Sequence, residues 1–211
     1  MNPGKRDSLA WKLSDGSLKR FSIRKVYSEL HDGGDVVRWS KLIWFSQNIP
    51  KHAFVLWLAV QNKLMTQDKV RNWGSYDLMM CPLCSKDMDS HSHLFFKCQY
   101  SAQLWQEVAK KMGVDCGNME WNDIVTELVE KLNGNSVGSI IRRVCLAASV
   151  YLIWQERNQR IFRDEKRSWE ELYEVLLETI RLRLMSLKAK KSMAVLKVQK
   201  EWNVEFKMVD K

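Results

Sequence analysis

Three cysteines and one histidine within 18 residues constrain this chain more than any other feature. Cys81 and Cys84 are separated by two residues, a spacing that lets both thiolates reach one tetrahedral ion from a tight turn. His93 follows, and Cys98 lies five positions beyond it. Because three thiolates and one imidazole fill the coordination sphere of zinc and leave no position for water, the spacing predicts one structural Zn2+.

Two histidines compete for the single imidazole position of the predicted zinc site. His91 lies two residues before His93 and is an alternative ligand. We favour His93 because it begins the apolar run 94–96, which would anchor a ligand against a core. Cys145 lies in a continuous apolar stretch, and we expect it to be a small core thiol.

The cysteines also indicate the compartment. Five cysteines with three in one cluster suit metal binding in a reducing environment better than a disulfide framework. The N-terminal residues lack the apolar segment and cleavage site of a secretory signal. The longest apolar run, 145–154, is about half of what a bilayer-spanning helix needs. We therefore expect a protein of the nucleus or cytoplasm that is neither secreted nor bound to a membrane.

Hydrophobic periodicity predicts a mainly α fold with a small N-terminal β-hairpin. The hairpin is expected from two alternating segments, 9–13 and 18–23, on either side of Asp15-Gly16. Apolar residues at helical spacing then predict a series of helices. They cover 23–30, two parts of 39–64 divided before Pro50, 66–73, and 100–112.

The C-terminal part is predicted to be a helical hairpin. Two long amphipathic segments, 140–162 and 169–187, are separated by a short polar stretch. A connecting helix and loop are expected at 113–135. The predicted domains are therefore a zinc-binding domain at 1–112, the connection, and a basic helical region at 136–211. Four tryptophans in apolar stripes are expected in the core: Trp44, Trp57, Trp105 and Trp154.

The positive charge of the chain lies outside the cysteine cluster. The net charge of +9 divides into +6 for residues 1–80, −3 for 81–135 and +6 for 136–211. Clustered positive charge indicates a nucleic-acid surface, here in the flanking regions. The predicted RNA or DNA contacts are Arg142, Arg143, Arg157, Arg160, Arg163, Lys166 and Arg167. Arg157, Arg160 and Arg163 would form a stripe along one helix face that follows phosphates.

Two alternatives to this surface stay open. The basic residues could belong to a solvated face paired with Glu156, Asp164 and Glu165. The amphipathic segments 140–162 and 169–187 could instead pair with a partner helix or with a second copy of the chain, which would make the protein an interaction adaptor.

Aromatic and polar residues precede the cysteine cluster in a recognisable order. They are Trp11, Phe21, Tyr27, Trp39, Trp44, Pro50, Lys51, Phe54, Trp57, Thr66 and Trp73, and Trp105 follows the cluster. Over residues 7–110 this order resembles the zinc-binding domain that follows the reverse transcriptase in plant LINE-type non-LTR retrotransposons. The segment 153–162 looks like the tail that commonly follows this domain. Asp89 departs from the pattern, since the family usually has Glu there.

The resemblance implies a non-catalytic zinc module of retrotransposon origin that contacts RNA or DNA. A domesticated stand-alone copy and a fragment of a longer polyprotein are both compatible with the sequence. It does not imply polymerase activity, because the sequence has no Tyr-x-Asp-Asp. A zinc deaminase would need His-x-Glu before Pro-Cys-x-x-Cys, whereas here Pro82 lies inside the cysteine pair. We therefore expect no enzymatic activity.

Overall fold

A computed structural model describes residues 9–13, 15–30, 37–70, 80–113, 126 and 134–209. The chain divides into two compact units, Met1–Val37 and Arg38–Lys211. The predicted connecting segment at 113–135 lies outside the described residues apart from 113, 126, 134 and 135. The predicted three-part domain division therefore stays a prediction.

The N-terminal unit contains the predicted hairpin. Strands β1 (Ala10–Lys12) and β2 (Leu18–Arg20) pair antiparallel, with Ala10 opposite Arg20. Gly16 lies in the turn at a φ of +84°, a conformation that glycine adopts without steric cost. Helix α1 (Ile23–Leu30) follows, and Trp11 Nε1 donates a 2.8 Å hydrogen bond to Glu29 Oε2. This bond ties the hairpin to the helix.

The first half of the second unit consists of short helices around the cysteine cluster. They are α2 (Ser40–Ile43), α3 (Pro50–Val60), α4 (Gln67–Val70), a π-helical turn (His93–Lys97) and α5 (Gln99–Met112). Pro50 occupies the first turn of α3, where a missing N–H costs no helical hydrogen bond. Helix α4 covers part of the predicted 66–73 helix, and residues 71–73 lie outside the described part.

The C-terminal half contains the predicted helical hairpin. It consists of α6 (Val137–Arg163) and α7 (Trp169–Ser186), which pack against each other. Ser168 and Glu171 form a reciprocal capping box that starts α7. A further helix, α8 (Met193–Trp202), follows. Strands β3 (Lys188–Ala189) and β4 (Lys207–Met208) flank it and pair in parallel.

Helix α6 is the central element of the core. It packs against α3, α5, α7 and α8, and Cys145, Leu146 and Ile153 on it are fully buried. The helix has the length and apolar composition of a membrane span, but 61% of its apolar window is buried inside the protein. Burial by neighbouring helices accounts for that composition, and Cys145 is confirmed as a core residue.

The tryptophan predictions hold only in part. Trp105 is buried, whereas Trp57 and Trp154 are half-buried and pack against the core. The prediction for Trp44 was wrong, since half of this residue is exposed. Helix α2 ends at Ile43, so helical periodicity does not extend to residue 44. The chain turns Trp44 outward while Phe45 enters the core.

Candidate metal centre

The four predicted zinc ligands converge in the structure. The ligand atoms of Cys81, Cys84, His93 and Cys98 all lie within 4.8 Å of one another. Cys81 Sγ lies 3.8 Å from Cys98 Sγ, and Cys84 Sγ lies 3.3 Å from His93 Nε2. In a tetrahedral zinc site the corresponding edges are about 3.8 Å for two thiolates and about 3.6 Å for a thiolate and an imidazole. The donor set therefore fits one zinc ion.

A tight turn places the first two ligands. The Ser85 amide donates a 2.7 Å hydrogen bond to the Cys81 carbonyl, and Ser85 takes a φ of +53°. The Cys81 amide donates to the Asp87 carbonyl at 2.6 Å, and Met80 forms an antiparallel bridge with Met88. These contacts close the loop so that both thiols face one point.

The π-helical turn places the other two ligands. The Cys98 amide donates a 2.8 Å hydrogen bond to the His93 carbonyl, five residues earlier. This wider turn brings His93 and Cys98 to the same side of the chain. Leu94 and Phe95 are fully buried between them, which confirms the anchoring role expected for the apolar run.

Neighbouring groups orient the histidine ligand and shift the pKa values of two cysteine ligands. Asp87 Oδ2 lies 3.3 Å from His93 Nδ1, so the carboxylate can orient the imidazole with Nε2 towards the metal position. The hydrogen bond from the Cys81 thiol lowers the pKa of Cys98 to about 5, since it stabilises the Cys98 thiolate. The same contact, together with burial, raises the pKa of Cys81. Zinc coordination would deprotonate both thiols.

His93 rather than His91 completes the cluster. The His91 ring packs edge-on against Phe95, with 5.2 Å between the centroids. We expect His93→Ala to lose zinc and His91→Ala to retain one zinc per chain, because only the former removes a ligand. Metal analysis of the purified variants, with circular dichroism to verify folding, checks this expectation. A folded His91→Ala protein without zinc would contradict it.

The geometry can be compared with known proteins. A family model described as zinc-binding in reverse transcriptase (zf-RVT) covers part of the chain. Residues 21–105 match the zf-RVT family. The match contains all four ligands and confirms the predicted resemblance to a reverse-transcriptase zinc-binding domain for these residues, which we call the zf-RVT segment. It is a match to the zinc-binding part and not to the catalytic domain of a reverse transcriptase. Comparison with curated proteins and with solved structures found no match.

A buried ion pair joins the zf-RVT segment to helix α6. Asp89 is fully buried, and its Oδ2 accepts hydrogen bonds from Arg157 Nη2 at 2.5 Å and Nε at 3.2 Å. The same oxygen accepts a 2.9 Å bond from the Gln67 amide at the start of α4. Sequence reasoning gave Asp89 no role, because its partner lies 68 residues away.

Glu156 forms ion pairs with two more of the arginines predicted as nucleic-acid contacts. It is fully buried and accepts bonds from Arg160 Nε at 2.8 Å and Arg167 Nε at 2.9 Å. Burial alone would raise the pKa of this carboxyl group, but the donors from Arg167 and Arg160 outweigh it and leave the pKa lowered. Arg160 also donates to the carbonyls of Pro82 and Leu83, which belong to the turn that carries the first two ligands.

The seven predicted nucleic-acid contacts do not form one outward surface. Arg143 is buried and donates to the carbonyls of Lys41 and Gly134. Four of the predicted arginines therefore donate to acceptors within the fold, and we do not include them in the proposed nucleic-acid surface. They are Arg143, Arg157, Arg160 and Arg167. Arg163 and Lys166 are exposed, and Arg142 is half-buried. Lys166 Nζ lies 3.2 Å from Asp164 Oδ1.

Proposed function

We propose that this protein is a non-catalytic, zinc-stabilised module that binds RNA or DNA, derived from a retrotransposon polyprotein. The observation that carries the proposal is the distribution of exposed lysines in the C-terminal segment 187–209. All six lysines there are exposed, against two acidic residues. They are Lys188, Lys190, Lys191, Lys197, Lys200 and Lys207.

An exposed lysine array of this kind suits phosphate groups. Each lysine that neutralises a phosphate releases a condensed counterion, so binding is sequence-independent and sensitive to salt. Only Lys197 has an acidic side chain close by in this segment, with its Nζ 3.7 Å from Glu201 Oε1. Of the predicted contacts, Arg142, Arg163 and Lys166 are retained in the proposed surface.

A closed metal site supports a non-catalytic role. The four protein ligands leave zinc no position for a water molecule, which zinc hydrolases and deaminases require. The zf-RVT match likewise covers no catalytic domain. Zinc would therefore hold the fold, and the flanking basic residues would hold the nucleic acid.

The test is binding of zinc-loaded protein to labelled RNA and DNA across roughly 50 to 200 mM salt. We expect the triple variant Lys188→Gln, Lys190→Gln, Lys191→Gln to reduce the slope of log affinity against log salt by about 2 to 3, because three phosphate contacts are lost. The affinity should fall at least about tenfold at the upper salt concentration.

A matched variant separates a local surface from net charge. Lys86, Lys97 and Lys110 are exposed in the acidic region, and changing these three to glutamine alters the net charge equally. This control should leave the salt slope nearly unchanged. If both triple variants lost the same affinity, the proposed lysine surface would be wrong. If the wild type bound no nucleic acid at low salt, the proposed function would be wrong.

A protein partner is the second candidate. Leu182 and Met185 on α7 and Met193 on α8 are 58%, 47% and 81% exposed. Exposed apolar side chains on helices favour an amphipathic partner or self-association. Association that persists unchanged across the salt series would support this adaptor function.

A further inference from the structure

Three aromatic rings form an exposed cluster on α3 and the turn that precedes it. Trp44 and Phe54 are 50% and 51% exposed, and Trp57 lies half-buried between them. The ring centroid of Trp57 is 6.4 Å from that of Trp44 and 5.6 Å from that of Phe54. We call Trp44, Phe54 and Trp57 the aromatic face.

Trp44 and Phe54 are not part of the hydrophobic core. The opposite side of α3 carries its fully buried residues, Ala53, Leu56 and Ala59, and Trp57 packs partly against the same core. Exposed large aromatic side chains forgo much of the free energy that their burial would supply. Their grouping is therefore more informative than one scattered apolar residue.

Two lysines lie near the aromatic face: Lys63 beside Trp57, and Lys51 one helical turn before Phe54 on α3. Lys63 Nζ lies 5.6 Å from the Trp57 ring centroid, and Lys51 Nζ lies 5.0 Å from that of Tyr151 on α6. Both lysines are exposed. Residues 38–70 contain five basic residues and one acidic residue. That acidic residue, Asp68, is half-buried and accepts a 2.5 Å hydrogen bond from Thr66 Oγ1.

We infer that the aromatic face binds single-stranded nucleic acid, with bases stacked on Trp44 and Phe54 and phosphates held by Lys51 and Lys63. The inference rests on the proposed function and names its preferred ligand. Unpaired bases offer free π-faces, whereas bases within a duplex already stack on one another. The exposed rings suit the bases of a single strand, and the neighbouring lysines suit its phosphates. Residues 38–70 present no exposed carboxylate that would repel the phosphates.

The experiment compares single-stranded oligonucleotides of about 12 nucleotides with the corresponding duplexes. The double variant Trp44→Ala, Phe54→Ala should bind single strands at least about tenfold more weakly, since each lost stack costs about that factor. Duplex binding should change less than about twofold, because the lysines that hold phosphate remain. Phe162→Ala is the matched control: Phe162 is 76% exposed at the end of α6, and its loss should change neither affinity.

Additional measurements show whether a loss of affinity comes from the missing rings and not from a loss of folding. Zinc content should equal that of the wild type. The thermal midpoint should fall only moderately and stay above the assay temperature, because about half of each substituted ring is exposed. Trp44→Phe, which keeps a ring, should retain most single-strand affinity. Binding of single strands should quench tryptophan fluorescence in the wild type more than in Trp44→Ala.

Three other binding results would contradict the inference. Nucleic-acid binding that the double variant leaves unchanged would overturn this inference alone. Absence of any nucleic-acid binding by the wild type would overturn the proposed function as well. If the double variant instead lost affinity for poly-glutamate and kept its affinity for single strands, the aromatic face would belong to an acidic protein partner, and the inference would be wrong.

Discussion

Removal of zinc should lower the free energy of unfolding by roughly 10 kcal/mol, the order of the apparent binding energy of structural zinc at neutral pH. A loss of this size is comparable with the whole stability of an ordinary domain. The segment 81–90 explains the dependence, since it contains turns and one β-bridge but no helix. Without metal, this segment keeps the buried side chain of Leu83 and the polar contacts that Asp89 and two carbonyls make with α6, and it has no regular structure of its own to hold the ligands together.

Thermal scans of zinc-loaded and chelated protein measure the effect. We expect the chelated protein to lose its cooperative transition or to melt far below the loaded form. Cys98→Ser should reproduce the loss without chelator, because Cys98 is a fully buried ligand. Cys145→Ala serves as the matched control: it removes a buried thiol that is not a ligand, retains zinc, and costs about 1–2 kcal/mol through lost core volume. An unchanged transition after verified loss of zinc would contradict a structural role.

The zinc ligands could be predicted from the sequence because their spacing is local. Two cysteines in one tight turn and a histidine five residues before a cysteine need little knowledge of the rest of the fold. Asp87 was missed, although it lies close to His93 in the chain. Its role depends on how the loop closes, since the contact joins Asp87 Oδ2 to His93 Nδ1 at 3.3 Å.

The helices were predictable for a similar reason. Strong 3.6-residue periodicity located α5, α6 and α7 to within a few residues, and Pro50 marked the start of α3. Short elements were not predictable in the same way: α8 and the two-residue strands β3 and β4 were not separately expected. Helix α8 packs on α6, and β3 pairs with β4, which lies 19 positions further along the chain, so local periodicity does not reveal this arrangement.

The arginine stripe shows where sequence reasoning reached its limit. The spacing of Arg157, Arg160 and Arg163 correctly placed them on one helix, but spacing alone does not reveal what the helix packs against. Asp89 and the carbonyls of the zinc-binding turn occupy the side that Arg157 and Arg160 face. Only Arg163 remains exposed, because it is the last residue of α6.

Breaking the Asp89–Arg157 pair should be nearly as informative as removing the metal. Arg157→Met leaves the Asp89 carboxylate buried without its guanidinium partner, and such a change costs about 3–5 kcal/mol. For a chain of this length, that corresponds to a fall in thermal midpoint of about 10 °C. The Gln67 amide still donates to Asp89 Oδ2, but a neutral amide does not neutralise the buried carboxylate.

Two further variants identify the buried charge as the cause. Arg163→Met removes an exposed arginine from the same helix and should change stability by no more than about 0.5 kcal/mol. The double variant Asp89→Leu, Arg157→Met should be more stable than Arg157→Met alone, because an apolar pair leaves no unpaired charge in the core. Equal midpoints for Arg157→Met and Arg163→Met would contradict the structural role.

The same variants decide how binding data on these arginines must be interpreted. A protein that loses Arg157 should bind nucleic acid less well merely because a fraction of it is unfolded, so weaker binding would not identify a contact. Arg163→Met removes positive charge without that loss of structure, and its effect on binding reports the surface directly. If Arg157→Met kept the wild-type midpoint and still lost affinity, Arg157 would be a contact residue, and its pairing with Asp89 would not be what holds the zf-RVT segment to α6.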